Sequence, residues 1–152
     1  MSNNQVSYCF CQEYEINQAK EAVNKIFSSF PNLEEKLRSK PGINILIKPN
    51  LLAPRHPDKA VTTHPIVLKA LIEYLKQYDC NITIADSPAG KYDVKSLEKL
   101  YKTCGIDEMA KELGCNLNFD TSQEYVSFPE GKVIKKWNQS INYNHKSYNY
   151  VD

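Results

Sequence analysis

Two short apolar runs with a helix pattern between them constrain the fold most strongly. The first run, Ile43–Ile47, ends at Lys48, and the second, residues 81–85, ends at Asp86. A long polar loop and a helix pattern that begins at Pro65 separate the two runs. Buried strands joined by a helix are parallel and connected by a right-handed crossover, so this stretch predicts one β-loop-α-β unit.

The rest of the sequence extends this unit in both directions. Residues 6–11 are apolar and strand-like, and they precede a helix pattern that stops at Pro31. Two further helix patterns, which end at Gly105 and Gly114, lead to a predicted strand over residues 115–119. The sequence therefore predicts an α/β fold with a mostly parallel three-layer sheet of about four to five strands and helices on both faces.

The length and composition are those of one globular domain. The chain has 152 residues, of which 41% are hydrophobic and 24% are charged, and it can bury a core. We assign residues 1–136 to a single α/β domain, in which residues 126–128 and 133–134 form a hairpin-like pair. Residues 137–152 are rich in Asn and Tyr and have no period, which predicts an irregular or disordered tail.

Charge and hydropathy exclude two classes of partner. The chain carries 19 basic and 18 acidic residues, and a net charge of +1 provides no long-range attraction for nucleic acid or an anionic membrane. The apolar runs are too short to cross a bilayer, and the N-terminus lacks the pattern of a signal peptide. We therefore expect a cytoplasmic protein with no nucleic-acid or membrane partner.

The five cysteines do not follow the spacing of a metal site. Cys9 and Cys11 form a C-x-C pair within the first apolar run, and no C-x-x-C pair is present. We interpret all five as free thiols in and around the core. A metal or cluster site is the less favoured alternative, because the spacing for zinc or iron–sulfur ligands is missing.

Polar side chains gather where the two central strands end. Ligands of open parallel sheets bind beyond the carboxyl ends of the strands. Lys48 supplies a positive charge there, and the helix that begins at Pro65 is expected to offer free N–H groups, which favour a phosphate or carboxylate. We predict a binding site for a small anionic molecule formed by seven residues, called the rim below: Lys48, Asn50, Thr62, Thr63, His64, Asp86 and Ser87.

The rim residues also have simpler interpretations. Lys48 can pair with Asp86 across the adjacent strand ends. Either His64 or Thr63 is expected to be the helix N-cap, and Thr63 is the better capping type, in which case His64 is a turn residue. Asp86 and His64 are the best candidates for an acid–base role, but no known catalytic or nucleotide-binding motif accompanies them, so the sequence assigns no enzyme class.

Three ordered motifs resemble those of domain of unknown function family 362. They are ILIKPNLL at residues 45–52, AVTTHP at residues 60–65 and IADSPAG at residues 84–90. Tyr101, Gly105 with Ile106, and residues 112–114 also sit where that family tends to have similar residues, and the resemblance covers residues 6–134.

The resemblance implies a second function. Members of that family are typically longer, and many carry ferredoxin-like 4Fe-4S clusters toward the C-terminus. The implied alternative is a redox or electron-transfer module that acts with an iron–sulfur partner or a separately encoded C-terminal half.

The end of the chain departs from the family pattern. Residues 135–137 are Lys-Lys-Trp where the family has a P-K-x-K-x-H motif, and no cluster motif is present. We therefore expect the N-terminal part of a family domain, without a cofactor of its own, that associates with itself or with a second chain. A truncated remnant without activity is the third hypothesis.

Overall fold

A three-stranded parallel sheet lies at the centre of the computed structural model, which describes residues 5–127 and 136–140. The strand order is β1 (Ile43–Ile47), β2 (Cys80–Ile84) and β3 (Asn116–Leu117). Strand β1 pairs with β2 along its whole length, from Ile43 opposite Cys80 to Ile47 opposite Ile84. The predicted α/β class and the parallel unit at the centre are confirmed.

Helices connect these strands and cover the sheet. In the described residues they are α1 (Ile16–Ser28), α2 (Pro31–Arg38), α3 (Pro65–Leu75), α4 (Val94–Thr103) and α5 (Ile106–Glu112). Helix α3 links β1 to β2, as predicted, and packs most extensively against α1. None of these helices combines the length and the apolar character that a bilayer crossing requires.

The core forms between the sheet and these helices. Ile72, Ile84, Leu97, Leu100 and Ile106 are almost completely buried within it. On β1 the side chains alternate, because Ile43, Ile45 and Ile47 are buried whereas Asn44 and Leu46 are partly exposed. The buried apolar faces position the carboxyl ends of β1 and β2 side by side.

The sheet has three strands, so the predicted number of four to five is wrong. Residues 6–11 form no strand, and Val6, Tyr8 and Phe10 are 86%, 92% and 85% exposed. The segment is instead held by polar contacts to the end of α1, where Gln5 Nε2 donates to the Ser29 carbonyl at 2.9 Å. Its apolar side chains therefore gain no burial.

The predicted strand over residues 115–119 is shorter than expected. Pairing stops after Leu117, where the chain enters a polar turn. In that turn Asn118 Nδ2 donates to the Asp120 carbonyl at 3.2 Å, and the Asp120 N–H donates to Asn118 Oδ1 at 3.4 Å. Such local bonds compete with the hydrogen bonds of a sheet, which explains the early end of β3.

A separate antiparallel pair follows the parallel sheet. Strand β4 (Gln123–Ser127) pairs with β5 (Lys136–Ser140), and Gln123 lies opposite Ser140. Residues 128 and 133–134 of the predicted hairpin lie outside the described residues, as do residues 141–152 of the predicted tail. Strand β5 runs across the predicted boundary between residues 136 and 137.

Candidate functional site

One buried carboxylate occupies the centre of the rim. Asp86 follows β2, and only 2% of its surface is exposed. Its Oδ1 lies 2.8 Å from the Lys48 ammonium, and its Oδ2 accepts the Leu51 N–H at 2.8 Å. An ionised carboxylate needs such partners when it leaves water, so Lys48 and the Leu51 N–H make its burial possible.

The two members of this ion pair face different environments. The Asp86 side chain is 3% exposed, whereas the Lys48 side chain is 59% exposed. An ammonium group has three N–H donors, and one bond to Asp86 leaves two for solvent or a ligand. The pairing foreseen as the simpler interpretation is thus present, and it leaves Lys48 accessible.

The loop between β1 and α3 is closed by Asn50 and Thr63. The Thr63 N–H donates to the Asn50 carbonyl at 2.8 Å, and the Asn50 N–H donates to Thr63 Oγ1 at 3.0 Å. Because the Thr63 hydroxyl serves the loop, it does not cap α3, and the predicted preference for Thr63 as N-cap is wrong. We call this pair of bonds the loop clasp.

His64 is the N-cap of α3 instead. Its Nδ1 accepts the Ile66 N–H at 3.2 Å, and its carbonyl accepts the Val67 N–H at 3.0 Å. Pro65 has no N–H to offer. The first turn of α3 therefore lacks the free N–H groups expected for an anion, since the chain already supplies their acceptors.

An aromatic contact covers the His64 ring. The ring of Tyr14 stacks on it with a centroid distance of 3.9 Å and an angle of 8° between the planes. Tyr14 lies just before α1, which packs along α3 and thereby brings the two rings together. Partial burial lowers the pKa of His64 and favours its neutral form. No sequence pattern signals this long-range contact.

The remaining rim residues differ in exposure. Asn50 and Ser87 are exposed, whereas Thr62 is 9% exposed. The buried Thr62 hydroxyl has no hydrogen-bond partner among the described residues. The structure therefore brings Asn50 and Thr63 together, and Lys48 together with Asp86, while Thr62 adds no hydrogen bond to either pair.

The described residues contain no group of three or more His, Cys, Asp or Glu side chains that could hold a metal ion. All five cysteines are free thiols. Cys104 is buried in the core and Cys11 is exposed. Cys80 and Cys115 are partly buried against the core, and burial raises the pKa of both thiols, which keeps them protonated.

A family model covers most of the elements described above. The model described as Domain of unknown function (DUF362) matches residues 45–146. The chain belongs to this family. The match includes the whole rim of this DUF362 chain but begins after Tyr14 and α1. No curated protein and no solved structure matches the chain. The redox and remnant hypotheses stay predictions.

The asymmetry of the ion pair predicts an unequal response to substitution. Lys48→Met should lower the free energy of unfolding by about 2–3 kcal/mol, because it leaves a buried carboxylate with one donor. Asp86→Asn should lower it by about 1 kcal/mol, since the amide oxygen still accepts the Leu51 N–H and Lys48 stays hydrated. Urea unfolding at neutral pH measures both values.

A matched control for that pair is Lys25→Met. Lys25 lies 2.6 Å from Glu21, but both side chains are more than 60% exposed, so little change is expected. Equal losses for Lys25→Met and Lys48→Met would contradict the role given to the buried carboxylate.

The lowered pKa of His64 predicts a pH dependence of stability. The folded-state pKa lies below the value of about 6.5 expected in the unfolded chain, so the unfolded state binds the proton first as the pH falls. Stability should be constant above about pH 6.5 and decline below it. His64→Asn, which retains a capping side chain, should flatten this decline in thermal unfolding between pH 5 and 7.

His56→Asn is the control for the pH experiment. It removes a histidine from the same loop but keeps His64, so the decline should remain. A decline of unchanged size in His64→Asn would show that another group causes it.

Proposed function

We propose that this DUF362 chain binds a small anionic molecule, through a phosphate or carboxylate group, at the rim. The observation that carries the proposal is the orientation of the Lys48–Asp86 pair. Both carboxylate oxygens of Asp86 are engaged inside the protein, while the Lys48 side chain is 59% exposed at the carboxyl ends of two parallel strands. The accessible side of the pair therefore offers donors rather than acceptors.

The contacts of Lys48 position its charge for a ligand better than the charge of an ordinary surface lysine is positioned. The ammonium lies 2.8 Å from a buried carboxylate whose other oxygen accepts the Leu51 N–H, and these two contacts restrict the position of the ammonium. When a ligand binds a lysine that is already positioned, the lysine side chain loses less conformational entropy than a freely moving lysine would lose. The loop clasp holds the neighbouring loop closed beside it.

The start of α3, which was expected to bind the anion, is not part of the proposed site. The N–H groups at the start of α3 have acceptors within the chain, so the anion is held by side chains rather than by the helix end. Lys48 supplies the charge, and Asp86 fixes its position. Asn50 and Ser87 are exposed on the same two strand ends and extend the surface available to the ligand.

Calorimetric titration with inorganic phosphate, and with acetate as the carboxylate, tests the proposal. We expect saturable binding of at least one of the two at constant ionic strength. The double variant Lys48→Met/Asp86→Asn removes both charges and leaves no unpaired buried carboxylate, so it should fold yet bind at least about tenfold more weakly.

Lys59→Met is the matched control for the titration. Lys59 is an exposed lysine of the same loop whose nearest carboxylate, Asp58, is 3.7 Å away and 60% exposed. Its loss should leave the affinity unchanged. Equal weakening by both variants would indicate nonspecific charge attraction, and the absence of saturable binding of either anion would refute the proposed function.

A further inference from the structure

The hydrogen bond to Ile66 determines which ring nitrogen of His64 carries the proton. Nδ1 accepts the Ile66 N–H at 3.2 Å, so it holds a lone pair and no proton. A neutral imidazole then carries its proton on Nε2, where it is a donor. Among the described residues, none accepts a hydrogen bond from Nε2 of His64.

The stacked Tyr14 ring fixes the plane in which this donor lies. The rings are nearly parallel, with 8° between their planes and 3.9 Å between their centroids. Tyr14 is itself held in place because the next residue, Glu15, caps α1 by accepting the Asn17 N–H at 2.9 Å and the Gln18 N–H at 3.0 Å. A 180° flip of the imidazole would keep the stack but break the bond to Ile66, whereas any other rotation would break both.

We propose that His64 donates its Nε2–H to an oxygen of the anion bound at Lys48, and that Tyr14 is the positioning residue that holds the ring for this bond. This inference rests on the proposed function and deepens it. His64 follows Thr63, and the loop clasp ties Thr63 to Asn50, two residues after Lys48. The two donors therefore lie on adjoining segments of the rim.

The pair of donors defines the chemistry of the ligand. Lys48 contributes a positively charged donor. Neutral His64 contributes a hydrogen bond of defined direction and adds no second charge. A ligand that satisfies both needs two acceptor oxygens on one group, as in phosphate or a carboxylate. Partial burial lowers the pKa of His64, which is consistent with a neutral donor.

Two-bond ¹H–¹⁵N spectra of the free protein test the tautomer without any ligand. His64 should show the pattern of a neutral ring protonated at Nε2. His56 is the internal comparison, because its Nδ1 faces Asp58 Oδ1 at 3.0 Å and must carry a proton to donate to it. A His64 ring protonated at Nδ1 would overturn the inference.

Phosphate titration tests the donor role. His64→Asn retains a side-chain cap for α3 but lacks a donor of the same reach, so the dissociation constant for inorganic phosphate should rise about tenfold. Tyr14→Leu should raise it a few-fold and shift the His64 ring resonances. Tyr8→Leu is the control, because Tyr8 is 92% exposed on the same segment.

The outcomes separate this inference from the proposed function. Phosphate affinity that falls in Lys48→Met/Asp86→Asn but is unchanged in His64→Asn overturns the role of His64 alone. Affinity that falls in His64→Asn but not in Tyr14→Leu, with unchanged His64 resonances in the latter, overturns the role of Tyr14. A wild-type protein that binds no phosphate and no acetate overturns both proposals.

Discussion

The buried carboxylate of Asp86 connects the parts of the structure that form the rim. It binds the side chain of Lys48, the residue that follows β1, and it accepts the backbone N–H of Leu51 in the next loop. Leu51 is fully buried, so its side chain anchors this loop in the core even though the neighbouring Asn50 is exposed. A charge at this depth is stable only with both partners. The same contacts that hold the ends of β1 and β2 together therefore also place the exposed ammonium.

Most polar groups of the rim bind one another. Thr63 and Asn50 form the loop clasp, and His64 accepts the Ile66 N–H at the start of α3. These contacts remove donors that a free helix end would have offered to an anion. In the proposed function, the donors that remain for an anion are the Lys48 ammonium, the Nε2–H of His64 and the exposed side chain of Asn50. We therefore propose a compact anionic group with two acceptor oxygens as the ligand, rather than a large or uncharged molecule.

The sequence predicted the parts of the fold that depend on local pattern. The apolar run of β1 and the helix pattern after Pro65 correspond to observed elements, because a buried strand needs a short apolar run and a helix buried on one face needs a helical period. The failed strand over residues 6–11 has the same apolar character, but a pattern cannot show whether a partner surface is within reach. Of the two candidates for the N-cap of α3, the preference for Thr63 was wrong because Thr63 has a partner across the loop.

The position of the candidate residues was predictable, and so was the pairing of Lys48 with Asp86, but the other bonds of the rim were not. Parallel strands bring their carboxyl ends to one edge, which placed Lys48 near Asp86 before any contact was known. The stack of Tyr14 on His64 depends on the packing of α1 against α3, and residue spacing carries no signal of it.

Amide NMR shifts during a titration with inorganic phosphate test whether anions bind at this edge of the sheet. Binding there should produce saturable shifts that cluster at Lys48, Leu51 and His64, with none at Asn81 on the opposite edge. Shifts that cluster at that opposite edge, or that never saturate, would contradict it.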